Sequence, residues 1–157
     1  MAEADVASAS RFRLKSDGVN HGLLKSSGLI VSTGLGSSNW LSAARQIFPI
    51  KIEKILNAIG VSAQQAKQNE ELANAINLET NFGSDEHRMF FFVREGFALK
   101  TGQITEGFCK EMEVTCEMLN GEVILDGWWK CNFSLGEVFT LKTAGEEQSL
   151  TNMRLIV

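Results

Sequence analysis

The residues best suited to chemistry lie in one run, Gly28-Leu29-Ile30-Val31-Ser32-Thr33-Gly34-Leu35-Gly36-Ser37-Ser38-Asn39-Trp40. It reads as a strand followed by a glycine and hydroxyl loop that opens a helix, a junction where unpaired backbone N–H groups gather. Gly34 and Gly36 let a backbone approach a ligand without Cβ interference. Ser37 and Ser38 suit two jobs, capping the helix or donating to phosphate or ribose oxygens. Trp40 offers either an aromatic platform for a base or a core side chain. Two nucleotide motifs are excluded. Gly34-Leu35-Gly36 has no third glycine at dinucleotide-fingerprint spacing, and no G-x-x-x-x-G-K-[ST] occurs.

Elsewhere the chemistry thins out. Cys109, Cys116 and Cys131 are odd in number and form neither a C-x-x-C pair nor a zinc spacing with His21 or His87. They read as partly buried thiols inside strands, and no metal ligand set is assigned. Asn69-Glu70 falls in a polar helical stretch and reads as a solvated face.

The elements that must position the run follow from periodicity. Arg11 to Lys15 alternates, and Asp17-Gly18 offers a turn. Leu29-Ile30-Val31 is a short β-branched run bounded by turn residues, hence a buried strand. From Trp40 the period changes: Ile52, Ile55, Leu56 and Ile59 recur at helical spacing, and Gly60 is placed to stop that helix. Ser62 with Gln65 reads as a capping box, with Val61 before the cap, opening a second helix through Asn77. From Met89 the period returns to two. Met112, Val114, Cys116 and Met118 alternate with Glu111, Glu113, Thr115 and Glu117, a half-buried antiparallel strand. Asn120-Gly121 and Asp126-Gly127 suit two-residue hairpin turns, so Glu122 to Leu125 and Trp128 to Phe133 are expected as hairpin strands, with Val138 to Lys142 and Met153 to Val157 after them. The expectation is a mainly β, α+β fold, an antiparallel two-layer sandwich with a helical insertion at about 40–80. Residues 1–10 read as a loose tail or appended end, and 11–157 as one domain.

The chain has 157 residues, 44% hydrophobic and 22% charged, enough for one ordinary core. A net charge of −4 gives no long-range attraction for phosphate backbones, so nucleic acid is not expected as a partner. No apolar run approaches the ~20 residues of a membrane span. Glu3 and Asp5 precede the first basic residue, Arg11, and no import signal is readable. The odd cysteines fit a reducing compartment, cytoplasm or mitochondrial matrix.

In register, the Ser27 to Trp40 run resembles the strand and loop D-G-L-I-V-S-T-P-T-G-S-T-A-Y of NAD kinases. The mitochondrial-type branch is more similar, with K-S-S-G-L and then C-T-G-T-G-S-x-x-W against Lys25-Ser26-Ser27-Gly28-Leu29 and Thr33 to Trp40. Met89-Phe90-Phe91-Phe92-Val93-Arg94-Glu95 is similar to that branch's F-S-[IV]-R-E, and Leu125-Asp126-Gly127 falls where the family has a late Asp-Gly turn. The resemblance runs from about Phe12 to the C-terminus. It implies the C-terminal, NAD-binding part of such a protein, with Thr33, Gly36, Ser37, Ser38, Asn39 and Trp40 at the NAD. Ser38, Asn39 and Trp40 match the substrate-contacting Thr-Ala-Tyr. Ser27 stands where most bacterial members carry an Asp, so a carboxylate contact is lost there.

Phosphoryl transfer needs a carboxylate, a metal-bound triphosphate and a glycine-rich cradle. The family's G-G-D-G and N-[DE] motifs lie upstream of the matched strand, and no Gly-Gly occurs here. The resemblance therefore assigns no catalytic residue to this chain. No cofactor is expected to be tightly bound: NAD would be a substrate, and ATP and Mg would come with an N-terminal kinase domain. Sheet edges left without that domain favour a homo-oligomer. Two other readings stay open, a non-catalytic NAD-binding or oligomerising module and a β-sandwich interaction domain with a purely structural loop.

Overall fold

The computed structural model describes residues 1–4, 8–61, 66–79, 81–97, 103–143 and 153–156. The chain is mixed α+β and mostly antiparallel sheet. Four strands come first: β1 (Ala2–Glu3), β2 (Ser10–Ser16), β3 (Val19–Ser26) and β4 (Gly28–Ser32). A 3-10 turn at Gly34–Gly36 and a π turn at Ser37–Leu41 lead into α1 (Ser42–Arg45), α2 (Pro49–Ala58) and α3 (Ala66–Leu78). Strands resume with β5 (Met89–Arg94), β6 (Glu106–Cys109), β7 (Glu111–Cys116) and β8 (Gly121–Leu125). The last are β9 (Trp129–Phe133), β10 (Val138–Thr143) and β11 (Met153–Ile156). The chain divides into two compact units: residues 1–33 with 84–157, and residues 34–83.

The first unit holds three sheets, ordered β1-β8-β9, β11-β10-β7-β2-β3 and β4-β5-β6. Alternation builds them. Phe12 and Leu14 of β2 and Met112, Val114 and Cys116 of β7 are fully buried, while the intervening residues point outward. There Arg13 meets Glu117 at 2.6 Å and Lys15 meets Glu113 at 2.7 Å, exposed pairs worth at most about 1 kcal/mol each. The β2–β3 turn at Asp17-Gly18 has φ 46° and 79°, the left-handed pair that twists correctly for a two-residue hairpin. One core draws on all three sheets, with Phe12, Leu24, Leu29, Phe91, Val123 and Phe133 among its members. Burying each aromatic there contributes about 1.5–3 kcal/mol.

Three expectations are corrected in this unit. At the start of the chain β1 pairs with β8 and Met1 docks on Leu29; residues 5–7 of the expected tail lie outside the described residues. Asn120-Gly121 does not turn a hairpin, because β7 and β8 belong to different sheets. Gly121 is required by packing instead: a Cβ there would sit 2.6 Å from the Phe133 carbonyl oxygen and 2.8 Å from Met118 Cε. The Asp126-Gly127 turn does connect β8 to β9, but pairing of Leu125 with Trp129 leaves Trp128 in the loop as well. Finally, β6 was not anticipated.

In the second unit, Pro49 opens α2 at its first turn, where no N–H is needed. Gly60, at φ 74°, closes it: Gly60 N–H reaches the Asn57 carbonyl and Val61 N–H the Leu56 carbonyl, a Schellman arrangement. Ile52 is buried, yet Ile55 and Ile59 are exposed, so the apolar stripe is wider than the surface that covers it. Asn77 of α3 clasps the segment before α2, accepting from Ile47 N–H at 2.8 Å and donating to its carbonyl at 2.9 Å. Asn69 is not on a solvated face: it is 5% exposed and among the described residues its Oδ1 has no partner, while Glu70 beside it is exposed. The Ser62 and Gln65 capping pair lies outside the described residues.

Candidate functional site

β4 ends at Ser32, whose hydroxyl donates to the Thr33 carbonyl at 2.9 Å; Thr33 ends the first stretch of the sheet unit and is half-buried. The loop from Gly34 onward belongs to the helical unit. Gly36 precedes the π turn with φ −93°, a value any residue adopts, and no side chain caps the turn there. Ser37 is 2% exposed. Its hydroxyl donates to the Gly34 carbonyl at 2.8 Å, accepts from Phe82 N–H at 3.3 Å and lies 3.1 Å from the Phe82 carbonyl. That hydroxyl ties the loop to residue 82 and is spent on structure.

Ser38, Asn39 and Trp40 follow, all exposed. Asn39 departs from helical geometry (φ −97°, ψ −120°), yet its carbonyl still accepts from Ser42 N–H. Leu41 is 1% exposed. Trp40 is 61% exposed, so the buried hydrophobic residue of this turn is Leu41 and not Trp40. Three chemically different groups thus stand in succession at the surface: a hydroxyl, a carboxamide and an indole. Together they can hydrogen-bond sugar or amide groups and stack a flat ring. Of the six residues expected at a ligand, Ser38, Asn39 and Trp40 are exposed in one turn, Ser37 is internal, and Thr33 and Gly36 are half-buried.

Asp126 is exposed in its turn at φ 50°. Burial, with the Asp17 charge second, pushes the Cys109 thiol up to about 12, so it is not a thiolate near neutrality. Cys116 Sγ is engaged with the Phe133 carbonyl at 3.0 Å. All three cysteines lie inside strands as expected, Cys109 and Cys116 buried and Cys131 half-buried. Among the described residues no group of three His, Cys, Asp or Glu side chains is placed to hold a metal ion.

One pairing was not read from the sequence. Ser16 Oγ and His21 Nε2 lie 2.6 Å apart. The register shift between Leu14 and Lys15, with Gly22 at φ 79°, bulges β3 and turns the imidazole toward Ser16. Burial lowers the His21 pKa, which keeps the ring neutral. Ser16 is 8% exposed, and among the described residues no carboxylate bonds the ring, so the pair lacks the access and the orienting partner of a nucleophile and base. The bulge glycine was its only sequence signal.

No family model matches the chain. No curated protein matches it either. Among the described residues no helix is long and apolar enough to cross a membrane.

Proposed function

We propose that this chain is the NAD-binding portion of an NAD kinase-like protein, a two-layer antiparallel sandwich with a helical insertion, whose complete form phosphorylates NAD to NADP with ATP. The observation that carries the reading is the unbroken order of residues from Gly28 to Trp40. Its support in three dimensions is the exposure of Ser38, Asn39 and Trp40 on one turn. Trp40 stacks on the adenine or lies against the ribose, while Ser38 and Asn39 bond the sugar. Ser37 acts at one remove, by fixing the loop through Gly34 and Phe82. Thr33 and Gly36 precede these residues in sequence.

The chain alone binds NAD weakly and transfers nothing. ATP and Mg belong with an N-terminal domain carrying the glycine-rich cradle, and the assembled protein is a homo-oligomer. A site with one wall missing recovers little of the entropy of association, so the expected dissociation constant is roughly millimolar.

Saturation-transfer NMR on NAD tests this with the whole chain. Trp40→Ala should weaken binding about ten-fold, the scale of one lost base stack. Ser38→Ala should weaken it less, and Glu113→Ala, on the outer face of β7, should leave it unchanged. NAD binding indifferent to Trp40→Ala and Ser38→Ala would overturn the proposal. So would NADP formed by the chain from NAD, ATP and Mg.

A further inference from the structure

α2 and α3 pack together as an antiparallel hairpin, since Asn77 near the end of α3 holds Ile47 just ahead of α2. Their sequences repeat one another. Glu53-Lys54-Ile55-Leu56-Asn57-Ala58-Ile59 on α2 corresponds to Glu70-Glu71-Leu72-Ala73-Asn74-Ala75-Ile76 on α3. Ile52 and Asn69, equivalent in that alignment, are both buried and mark the inward direction of each helix.

Each helical residue turns about 100°, so Ile55 and Ile59 stand about 60° and 20° to one side of Ile52, and Leu72 and Ile76 stand at the same offsets from Asn69. Packed antiparallel helices are related by a two-fold axis normal to the hairpin, which carries a given offset on one helix to the same offset on the other. All four side chains therefore share one face. They are 57%, 67%, 42% and 38% exposed in the order named. A contiguous aliphatic face of this size marks an association surface. The unit also has little interior of its own: among its described residues the buried hydrophobic side chains are Leu41, Ile52 and Ala73, and small domains are short of core even when well packed.

At the rim of the face the repeat breaks in charge. Lys54 and Glu71 hold equivalent positions, both exposed and both about 160° from the inward direction on the side of the aliphatic face.

We infer that this face is an interface with a second copy of the chain, in which two hairpins stack as an antiparallel four-helix bundle with α2 of each copy against α3 of the other. The near-identity of the two segments makes the face self-complementary, which an isologous contact requires and an unrelated partner does not. Charge then selects the pairing. Stacking α2 on α2 and α3 on α3 sets Lys54 beside its own copy and Glu71 beside its own copy. Stacking α2 on α3 sets lysine beside glutamate twice, the means by which flanking charges fix orientation in helical bundles. The two-fold axis of that arrangement runs along the helices and keeps heights, and with Ile47 level with Asn77, Lys54 stands within about one turn of Glu71 on the second copy. Ile55, Ile59, Leu72 and Ile76 of both copies form the bundle core. The interface gives the proposed homo-oligomer a surface and draws nothing from NAD binding.

Sedimentation velocity of the whole chain, from low micromolar to near-millimolar concentration, tests the inference. A reversible monomer–dimer equilibrium is expected. Replacing the exposed pair, Ile55→Gln with Leu72→Gln, should weaken it at least about a hundred-fold, because each dimer loses four aliphatic contacts. Lys54→Glu alone, or Glu71→Lys alone, should weaken it about ten-fold at low salt. Mixing these two single variants should restore association as a heterodimer, since every rim pair is then of opposite charge; a misfolded variant could not do this. Trp40→Ala should leave the equilibrium unchanged, so failure here and failure of NAD binding are read separately. Three results would overturn the inference: a chain that stays monomeric throughout, which would leave the face to another partner; a dimer indifferent to the glutamine pair; or charge variants whose mixture associates no better than either alone.

Discussion

Replacing Gly121 by alanine tests the packing of β8 against β9. The added methyl would stand 2.6 Å from the Phe133 carbonyl oxygen, 2.8 Å from Met118 Cε and 3.3 Å from Cys116 Sγ. Met118 can swing its thioether aside. The carbonyl cannot, because Phe133 lies opposite Gly121 in the ladder and the same oxygen engages Cys116 Sγ. Relief requires β9 to move by several tenths of an ångström or the end of the ladder to open. Overpacking of this kind costs about 1–3 kcal/mol. Alanine also narrows the unfolded ensemble, returning about 0.4–1 kcal/mol. The net expectation is a loss of roughly 1–2 kcal/mol from a total near 5–15 kcal/mol. Urea unfolding, followed through Trp128 and Trp129 beside the affected strand, should show a lower midpoint with an unchanged slope. Adding Met118→Ala should not restore it, since the backbone contact persists. A midpoint equal to or above that of the parent chain would refute the reasoning.

Three further outcomes are expected. Burial, and then the Arg94 charge, lowers the Met1 amino group from 8.0 to about 6, so the unfolded chain takes up that proton first. Its contribution is intact above pH 8, falls through the window down to about pH 6 and is flat below, a change of about 2–3 kcal/mol. N-terminal acetylation should remove that segment of the stability profile, and parallel profiles for the free and acetylated chains would refute it. Ser37→Ala breaks the tie between Gly34 and Phe82 and should cost the helical unit about 1–2 kcal/mol, read as faster amide exchange in residues 34–41 with the sheet unit unchanged. Asn69→Leu replaces a buried acceptor that has no partner among the described residues and should stabilise the same unit by about 1 kcal/mol. Thermal melts check this, and destabilisation would count against it.

Legibility in the sequence depended on which force set each position. Glu111 to Cys116 reads correctly because side-chain burial alone decides its alternation. Asp17-Gly18 reads correctly because left-handed backbone is what glycine there supplies. Gly121 misleads, since glycine also serves close packing, and one letter cannot distinguish the two needs. β1 was missed because backbone bonds hold it, and polar side chains say nothing of them. α3 buries Asn69 and Ala73 rather than large apolar residues, so its inward face looked solvated. At the candidate site, order and residue type were readable from Gly28 to Trp40. The division between internal Ser37 and exposed Ser38 was not, because the contact that buries Ser37 comes from Phe82, far along the chain.

The placement of the helical unit bears on how the chain reaches its native state. β4 and β5 are neighbours in one antiparallel ladder, yet Ser32 and its partner Phe90 are separated by the whole of residues 34–83. Closing a disordered loop of that length costs roughly 3 kcal/mol more than closing the two-residue turn between β2 and β3. Helices with short-range contacts form fast, and once α2 and α3 have docked, less disordered chain is left to close. Anything that delays the helices should slow the arrival of Leu29 and Phe91 in the shared core, even where final stability is untouched.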